Sequence, residues 1–272
     1  VRDIPSLTVI RAFFFIFGLL SFFILERIFP SREDTASNLP RWFANIALSV
    51  INAVVVGLIA GTILTATLSI AKGKNFGLLA TLPLSPWIKI FLGVVFLDFL
   101  LYIWHLVNHV VPFFWRFHQV HHSDLDLDVT TASRFHFGEI AMAMLIRSQL
   151  ILILGPEILV FIIFDTLVVL TSQFHHSKIR LPIWLEKIYW VFFVPPKMHL
   201  IHHSTIPEEL NSNYGTIFSF WDRLFGTLTV TPRLEKVEIG LNVYRSKEDV
   251  SFSKILVMPF RRNLPIRPFE RD

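Results

Sequence analysis

Not one cysteine occurs in the 272 residues, which excludes disulfides and any thiolate metal site. Charge is scarce as well: Asp, Glu, Lys and Arg make up 17% of the chain, against about 25% in an ordinary soluble domain. No GxSxG, P-loop or GxGxxG sequence occurs, which argues against a lipase, an NTPase and a built-in dinucleotide domain. The run Asp124-Leu-Asp126-Leu-Asp128 has the look of a calcium loop. Val129 stands where the loop needs glycine, however, and Phe135 where it needs glutamate, so that reading fails.

Apolar residues are abundant instead: 53% of the chain is hydrophobic, with 28 phenylalanines and a mean hydropathy of +0.56. They lie in blocks rather than at core periodicity, which points to membrane spans. A helix needs about 20 apolar residues to cross the hydrocarbon layer. Five stretches qualify for consideration: Leu7–Phe29, Phe43–Ala71, Trp87–Val111, Ile140–Leu154 and Glu157–Ser172. The last two are short and separated by Gly155-Pro156, as in a helical hairpin. The first block is long, holds Arg11 and lacks a small-residue cleavage site, so no cleavable signal peptide is expected.

The expected fold is an all-α integral membrane protein of four to five transmembrane helices under a cytoplasmic, histidine-rich helical cap. Residues 1–85 read as membrane anchor, 86–230 as the part carrying the chemistry, and 231–272 as a cytoplasmic tail with Pro232, Pro259, Pro265 and Pro268 among mixed charges. With five spans, the segments Glu26–Arg41, Pro112–Glu139 and the chain from Gln173 share one face. That face collects Arg27, Arg32, Arg41, Arg116, Arg134, Lys178, Arg180, Lys187 and Lys197, whereas the other has little beyond Arg2, Lys72 and Lys74. The positive-inside bias makes the rich face cytoplasmic, in a bacterial inner membrane or the endoplasmic reticulum. A net charge of +4 then needs no nucleic-acid partner.

All eleven histidines fall between His105 and His203. They form His105-Leu-Val-Asn-His109, His118-Gln-Val-His121-His122, His136, His175-His176 and His199-Leu-Ile-His202-His203. Residues three or four apart share a helix face, so His105 aligns with His109, His118 with His121 and His122, and His199 with His202 and His203. Converging imidazoles suit iron, zinc or copper. Eight to ten of them exceed what one ion can use, since a catalytic zinc takes three protein ligands and a water. Two ions would use the set. A lone histidine such as His136 is equally well explained as a cap or a local hydrogen-bonding group.

Ionisable side chains inside the spans draw attention too. Asp98 lies on the stripe of Tyr102, His105 and His109, and Asp165 on that of Ser172 and His176. Either could accept a hydrogen bond from the ring N–H of a ligating histidine. Either could equally pair with Arg147, which also lies within a span.

The sequence resembles the fatty acid hydroxylase/sterol desaturase superfamily over roughly Ser85–Val230. The resemblance rests on Asp98-Phe-Leu-Leu-Tyr102-Ile-Trp-His105, Trp115-Arg-Phe-His118-Gln-Val-His121-His122-Ser123 and Thr131-Ala-Ser-Arg134-Phe-His136. It continues through His176-Ser-Lys-Ile-Arg180-Leu-Pro182, the second HxxHH box at His199–His203, and Asn213-Tyr-Gly215 leading to Trp221-Asp-Arg-Leu-Phe-Gly226-Thr227. It implies a membrane-embedded centre of two iron ions that hydroxylates or desaturates a lipid, such as a sterol or fatty acyl chain, with O2 as co-substrate. A separate electron-transfer protein or reductase is implied as the external electron donor. Carried over residue by residue, the implied ligands are His105, His109, His118, His121, His122, His176, His199, His202 and His203, with His136 added. Leu106, His175 and Lys178 stand where relatives often have arginine, glutamine and asparagine. His175 is open as a ligand, a supporting donor or a bystander. The rival readings from other classes are a histidine-rich metal-binding or metal-transport membrane protein and a haem-binding electron carrier; both leave the double HxxHH pattern unexplained.

Overall fold

The computed structural model describes residues 4–34, 38–73, 77–155, 158–231 and 234–261. Arg2, Lys74, Pro156, Glu157, Pro232, Pro265 and Pro268 lie outside the described residues, as do the charged residues of the extreme C-terminus. The chain is helical, and its only sheet-like pairings among the described residues are isolated bridges. The long helices are α1 (Ile4–Ile28), α2 (Asn38–Gly73), α4 (Pro86–Val110), α6 (Phe137–Leu154) and α7 (Ile158–His176), with a single turn, α3 (Leu78–Thr81), before α4.

Among the described residues four helical stretches are long and apolar enough to cross a membrane: Val9–Ile28, Asn38–Leu58, Pro86–Val110 and Leu159–His176. Their outer faces leave large apolar side chains uncovered, such as Phe13, Phe17, Leu20, Val50, Val54 and Phe91. Such a belt is stable only against lipid. This is a multi-pass membrane protein. Of the five expected stretches, Ile140–Leu154 is the one not among these four; it corresponds to α6, which is 18 residues long, carries Glu139 and Arg147, and packs along α2. The α6–α7 turn depends on glycine: Gly155 has φ 55°, and a Cβ on Gly77 would lie 2.3 Å from the Gly155 Cα. No larger residue fits that crossing.

One end of the bundle carries the cap. Pro112 follows Val111, and a residue before proline is held out of the helical region, so α4 stops at Val110 and α5 (Pro112–His122) starts in a new direction. The same device, Pro195-Pro196, opens α9 (Pro196–His202) after the fully surface-lying helix α8 (Ile183–Phe192). Between α5 and α6 a 3₁₀ turn, Val129–Ser133, packs against α1, α2 and α7 together. Short helices α10 (Pro207–Leu210) and α11 (Phe220–Leu224) complete the cap.

The C-terminal segment is part of the core. Leu241, Tyr244, Val250, Ile255 and Met258 bury against Ala44, Leu48, Trp115, Val120 and Leu210, while α12 (Phe252–Val257) lies beside α2. The segment also pairs with the second histidine box, through Gly240 N–H to His203 O (3.1 Å) and a bridge between Ser204 and Ile239.

Candidate metal centre

Ten of the eleven histidines meet where α4, α5, α7 and α9 converge. Their side chains sort into two neighbouring groups whose candidate ligand atoms lie within 4.8 Å of one another. The first is His105, His109, His118, His122 and His202; the second is His121, His176, His199 and His203. Each HxxHH box is divided in the same way. The residues four apart share a group, His118 with His122 and His199 with His203, and the remaining histidine crosses to the other group. The two groups adjoin, since His122 stacks on His203 with ring centroids 4.4 Å apart.

Within the groups the Nε2 atoms face one another. They lie 3.0 Å apart for His105 and His202, and 3.2 Å for His118 and His122. In the second group the separations are 3.1 Å for His176 and His121, 3.0 Å for His199 and His176, and 3.2 Å for His203 and His199. A metal–nitrogen distance of about 2.1 Å at right angles gives an edge of about 3.0 Å. The spacing therefore fits the edges of a coordination shell.

The outer nitrogens decide what lies between. His105 Nδ1 donates to Tyr214 O (2.8 Å) and His202 Nδ1 to Ser212 O (2.6 Å). With those protons outward, both Nε2 atoms present lone pairs to each other at 3.0 Å. Two lone pairs cannot hydrogen-bond, and a cation between them removes the repulsion. His118 Nδ1 is held by Glu139 Oε1 (2.8 Å) and His176 Nδ1 by Ser172 O (2.7 Å), which turns their Nε2 atoms inward as well. Burial, reinforced by neighbouring imidazoles, holds His121, His122, His199, His202 and His203 well below the usual histidine range. They are neutral, the form that binds a metal. The residues fit a pair of ions.

His136 is not in either group. Its Nε2 donates to Leu256 O (3.1 Å) and its Nδ1 accepts from Gly138 N–H (3.0 Å), so both nitrogens are used up in tying α6 to the C-terminal segment. His136→Ala is expected to leave the metal content unchanged in elemental analysis. It should lower the thermal midpoint, since the orphaned Leu256 carbonyl and Gly138 N–H cost about 1–3 kcal/mol. His175 is the tenth histidine of the assembly: its ring lies against His199, centroids 4.0 Å apart, beside the second group and not within it.

Of the two roles open to Asp98 and Asp165, neither residue takes the first, orienting a histidine, and Asp165 takes the other, pairing with Arg147. Asp98 accepts from Ile217 N (3.1 Å), Phe218 N (3.2 Å) and Trp221 Nε1 (2.9 Å), so it anchors the cap to α4. Asp165 pairs with Arg147 (3.1 Å) and Arg11 (3.3 Å) inside the bundle. The orienting acceptors are mostly backbone carbonyls, which no side-chain pattern reveals. A side-chain acceptor, Glu139, holds His118 from an apolar helix 21 positions away in sequence, a separation that no local spacing reveals. Its only sequence signal is an acid at the edge of an apolar stretch, three residues after His136. Glu139→Ala is expected to weaken metal retention about 10–100-fold in a chelator titration.

The Trp221–Thr227 run supports this geometry from behind. Asp222 accepts from Tyr214 N (2.7 Å), Gly215 N (2.9 Å) and Thr227 Oγ1 (2.7 Å), while Asn213 adopts φ 57° and accepts from Thr229 N. Asparagine tolerates that left-handed conformation. The clamp places the Tyr214 carbonyl on His105 Nδ1.

Residues 90–227, just over half of the chain, match the family described as fatty acid hydroxylase. This chain belongs to the fatty acid hydroxylase family. It is 30% identical over 177 residues to an ornithine lipid hydroxylase of Rhizobium tropici, covering 64% of this chain and 51% of that protein. It is 33% identical over 159 residues to an alkylglycerol monooxygenase of Xenopus tropicalis, covering 58% of this chain and 33% of the relative. With human cholesterol 25-hydroxylase it shares 25% identity over 134 residues, 48% of this chain and 47% of that protein. The chain thus spans a third to a half of the length of these relatives. No solved structure matches it. The family region contains both histidine groups and the Asp222 clamp.

Proposed function

We propose that the chain is a membrane-bound lipid hydroxylase using O2 and two iron ions, one in each histidine group. The observation that carries the reading is the pair of inward lone pairs on His105 and His202, 3.0 Å apart, repeated as Nε2–Nε2 spacings of 3.0–3.2 Å in both groups. The relatives' names, an ornithine lipid hydroxylase and an alkylglycerol monooxygenase, support an oxygenase acting on a lipid.

The ions, when bound, supply O2 activation; the chain supplies placement. His105, His109, His118, His122 and His202 hold one ion, and His121, His176, His199 and His203 the other. Carbonyls of Tyr214, Ser212 and Ser172 and the Glu139 carboxylate keep their ring protons outward. Ligands on α5 and α9 are fully buried, so bulk water is excluded from the reacting centre. A lipid tail would enter from the bilayer beside α4 and α7, whose ends carry His105, His109 and His176. The overall conversion is R–H + O2 + two electrons + two protons to R–OH + H2O, with a separate electron-transfer protein or reductase supplying the electrons. The excess of basic residues around the cap, such as Arg32, Arg41, Arg116 and Lys178, supports a cytoplasmic orientation of the site.

The test is turnover under ¹⁸O2 with iron-loaded, chemically reduced protein and a membrane lipid extract. One labelled hydroxyl oxygen in a lipid product is expected by mass spectrometry. Iron binding without any label in lipid would overturn the hydroxylase reading.

A further inference from the structure

A second polar site lies at the same end of the bundle and has no part in holding metal. It is a cleft of about 420 Å³ where α1 ends, lined among others by Glu26, Arg27, Arg32, Lys178 and Arg180. Its frame is built by backbone. The chain after α1 pairs antiparallel with the chain after α7, through Ser31 N to Lys178 O (2.7 Å), Arg180 N to Phe29 O (2.8 Å) and the Pro30–Ile179 bridge.

Two features of the lining are unsatisfied. Glu26 is 2% exposed; its Oε2 accepts from Lys178 N (3.1 Å) and Val129 N (3.2 Å), yet its buried Oε1 has no hydrogen-bond partner. A buried carboxyl oxygen without a donor is costly. Arg180 is exposed and, among the described residues, its guanidinium has no ionic or hydrogen-bonded partner. The other cations are engaged, Arg32 and Lys178 with Asp126 and Arg27 with Asp34. Among the described residues the cleft therefore offers the Arg180 guanidinium and the buried Glu26 Oε1 without partners, with the exposed Glu33 carboxylate also in its lining. It opens beside Ile28 and Phe29, which are more than half exposed at the end of a membrane span. A ligand reaching it along the bilayer surface is a lipid.

We infer that this cleft binds the headgroup of a lipid that carries both an anionic group and a primary ammonium, the anion on Arg180 and the ammonium on Glu26 Oε1. Lys178 follows His176 by two residues, so a lipid held here is anchored next to the metal centre and is the substrate class of the proposed hydroxylase. That last link rests on the hydroxylase reading; binding itself does not.

The full chain in detergent, measured by native mass spectrometry, tests it. Phosphatidylethanolamine carries both groups, phosphatidylglycerol lacks the ammonium, and phosphatidylcholine has no N–H to donate. Preferential retention of phosphatidylethanolamine is expected. Glu26→Gln keeps an oxygen for the Val129 and Lys178 N–H groups and puts an NH2 where Oε1 was. It and the surface change Arg180→Ala should each reduce retention about tenfold, the worth of one charge-assisted hydrogen bond. Equal retention of the three lipids, or unchanged retention in both variants, would overturn the site. Displacement of the lipid by equimolar free phosphoethanolamine would overturn the lipid as occupant. Iron content of the same preparations reads the other proposal separately: iron-free protein that still selects phosphatidylethanolamine leaves the headgroup site standing and removes the oxygenase.

Discussion

His202→Ala is expected to release the ion of the first histidine group and to abolish lipid oxidation, while the second group keeps its own. Beyond the one nitrogen it would offer a metal, His202 also packs the first group. Its Nε2 faces His105 Nε2 at 3.0 Å, and its ring packs against His105, His109 and His122 with centroids 4.6–4.7 Å apart. Alanine removes the donor atom and opens a space for water inside a group that is otherwise buried. Losing only the hydrogen-bond partner of a ligand weakens metal affinity about 10–100-fold, and losing the ligand itself exceeds that. His199→Ala, three residues away on the same helix, should empty the second group instead. Elemental analysis of both variants gives the result: about half the wild-type iron in each, with no turnover in either. Full iron in both would show that the histidine groups are not where the metal sits.

Arg41→Leu is expected to produce the largest loss of stability in the chain, through a group that touches no histidine. The Arg41 guanidinium lies among three buried carboxylates. It grips Asp124 with two bonds of 2.6 and 3.0 Å, reaches Asp128 at 3.0 Å and donates to the Asp126 carbonyl at 2.8 Å. Asp124, Asp126 and Asp128 are fully buried, so leucine would leave their charges with a major partner gone. Removing one member of a buried pair typically destabilises by about 3–5 kcal/mol, a large share of the roughly 5–15 kcal/mol that holds a domain folded. The expected readout is a drop in thermal midpoint in detergent together with lost iron, because this aspartate loop follows directly from the His118–His122 box. Arg41→Leu with Asp124→Asn should recover part of the loss, since one stranded charge is then removed. Equal stability of Arg41→Leu and wild type would mean that the network is not what locks α2 to the cap.

These two residues mark the division between pattern and packing. Membrane helices, the order of histidine boxes and the Trp221–Thr227 run are local facts of the chain: hydropathy over about 20 residues and spacing of three or four are visible one residue at a time. The all-α membrane fold and the family follow from them. The Asp124–Asp128 run, by contrast, is readable in the sequence only as a calcium loop that fails; its partner Arg41 lies on α2, 83 positions before Asp124. Similarly Asp98 and Asp165 share stripes with histidines, and spacing could not tell an orienting acceptor from an anchor for the cap or an ion-pair partner of Arg11 and Arg147.

What the chain by itself determined is therefore the inventory: apolar spans, ten clustered imidazoles with one apart, and no thiol to compete with them. Only the tertiary structure decided the sorting. It divided each HxxHH box between two groups, because positions four apart point one way and the histidine between them points to the neighbouring group. It set His136 aside, because both of its nitrogens meet backbone. It supplied Glu139 and three carbonyls as the groups that turn the ring protons outward. Those assignments depend on contacts between segments distant in sequence, and no local pattern encodes them.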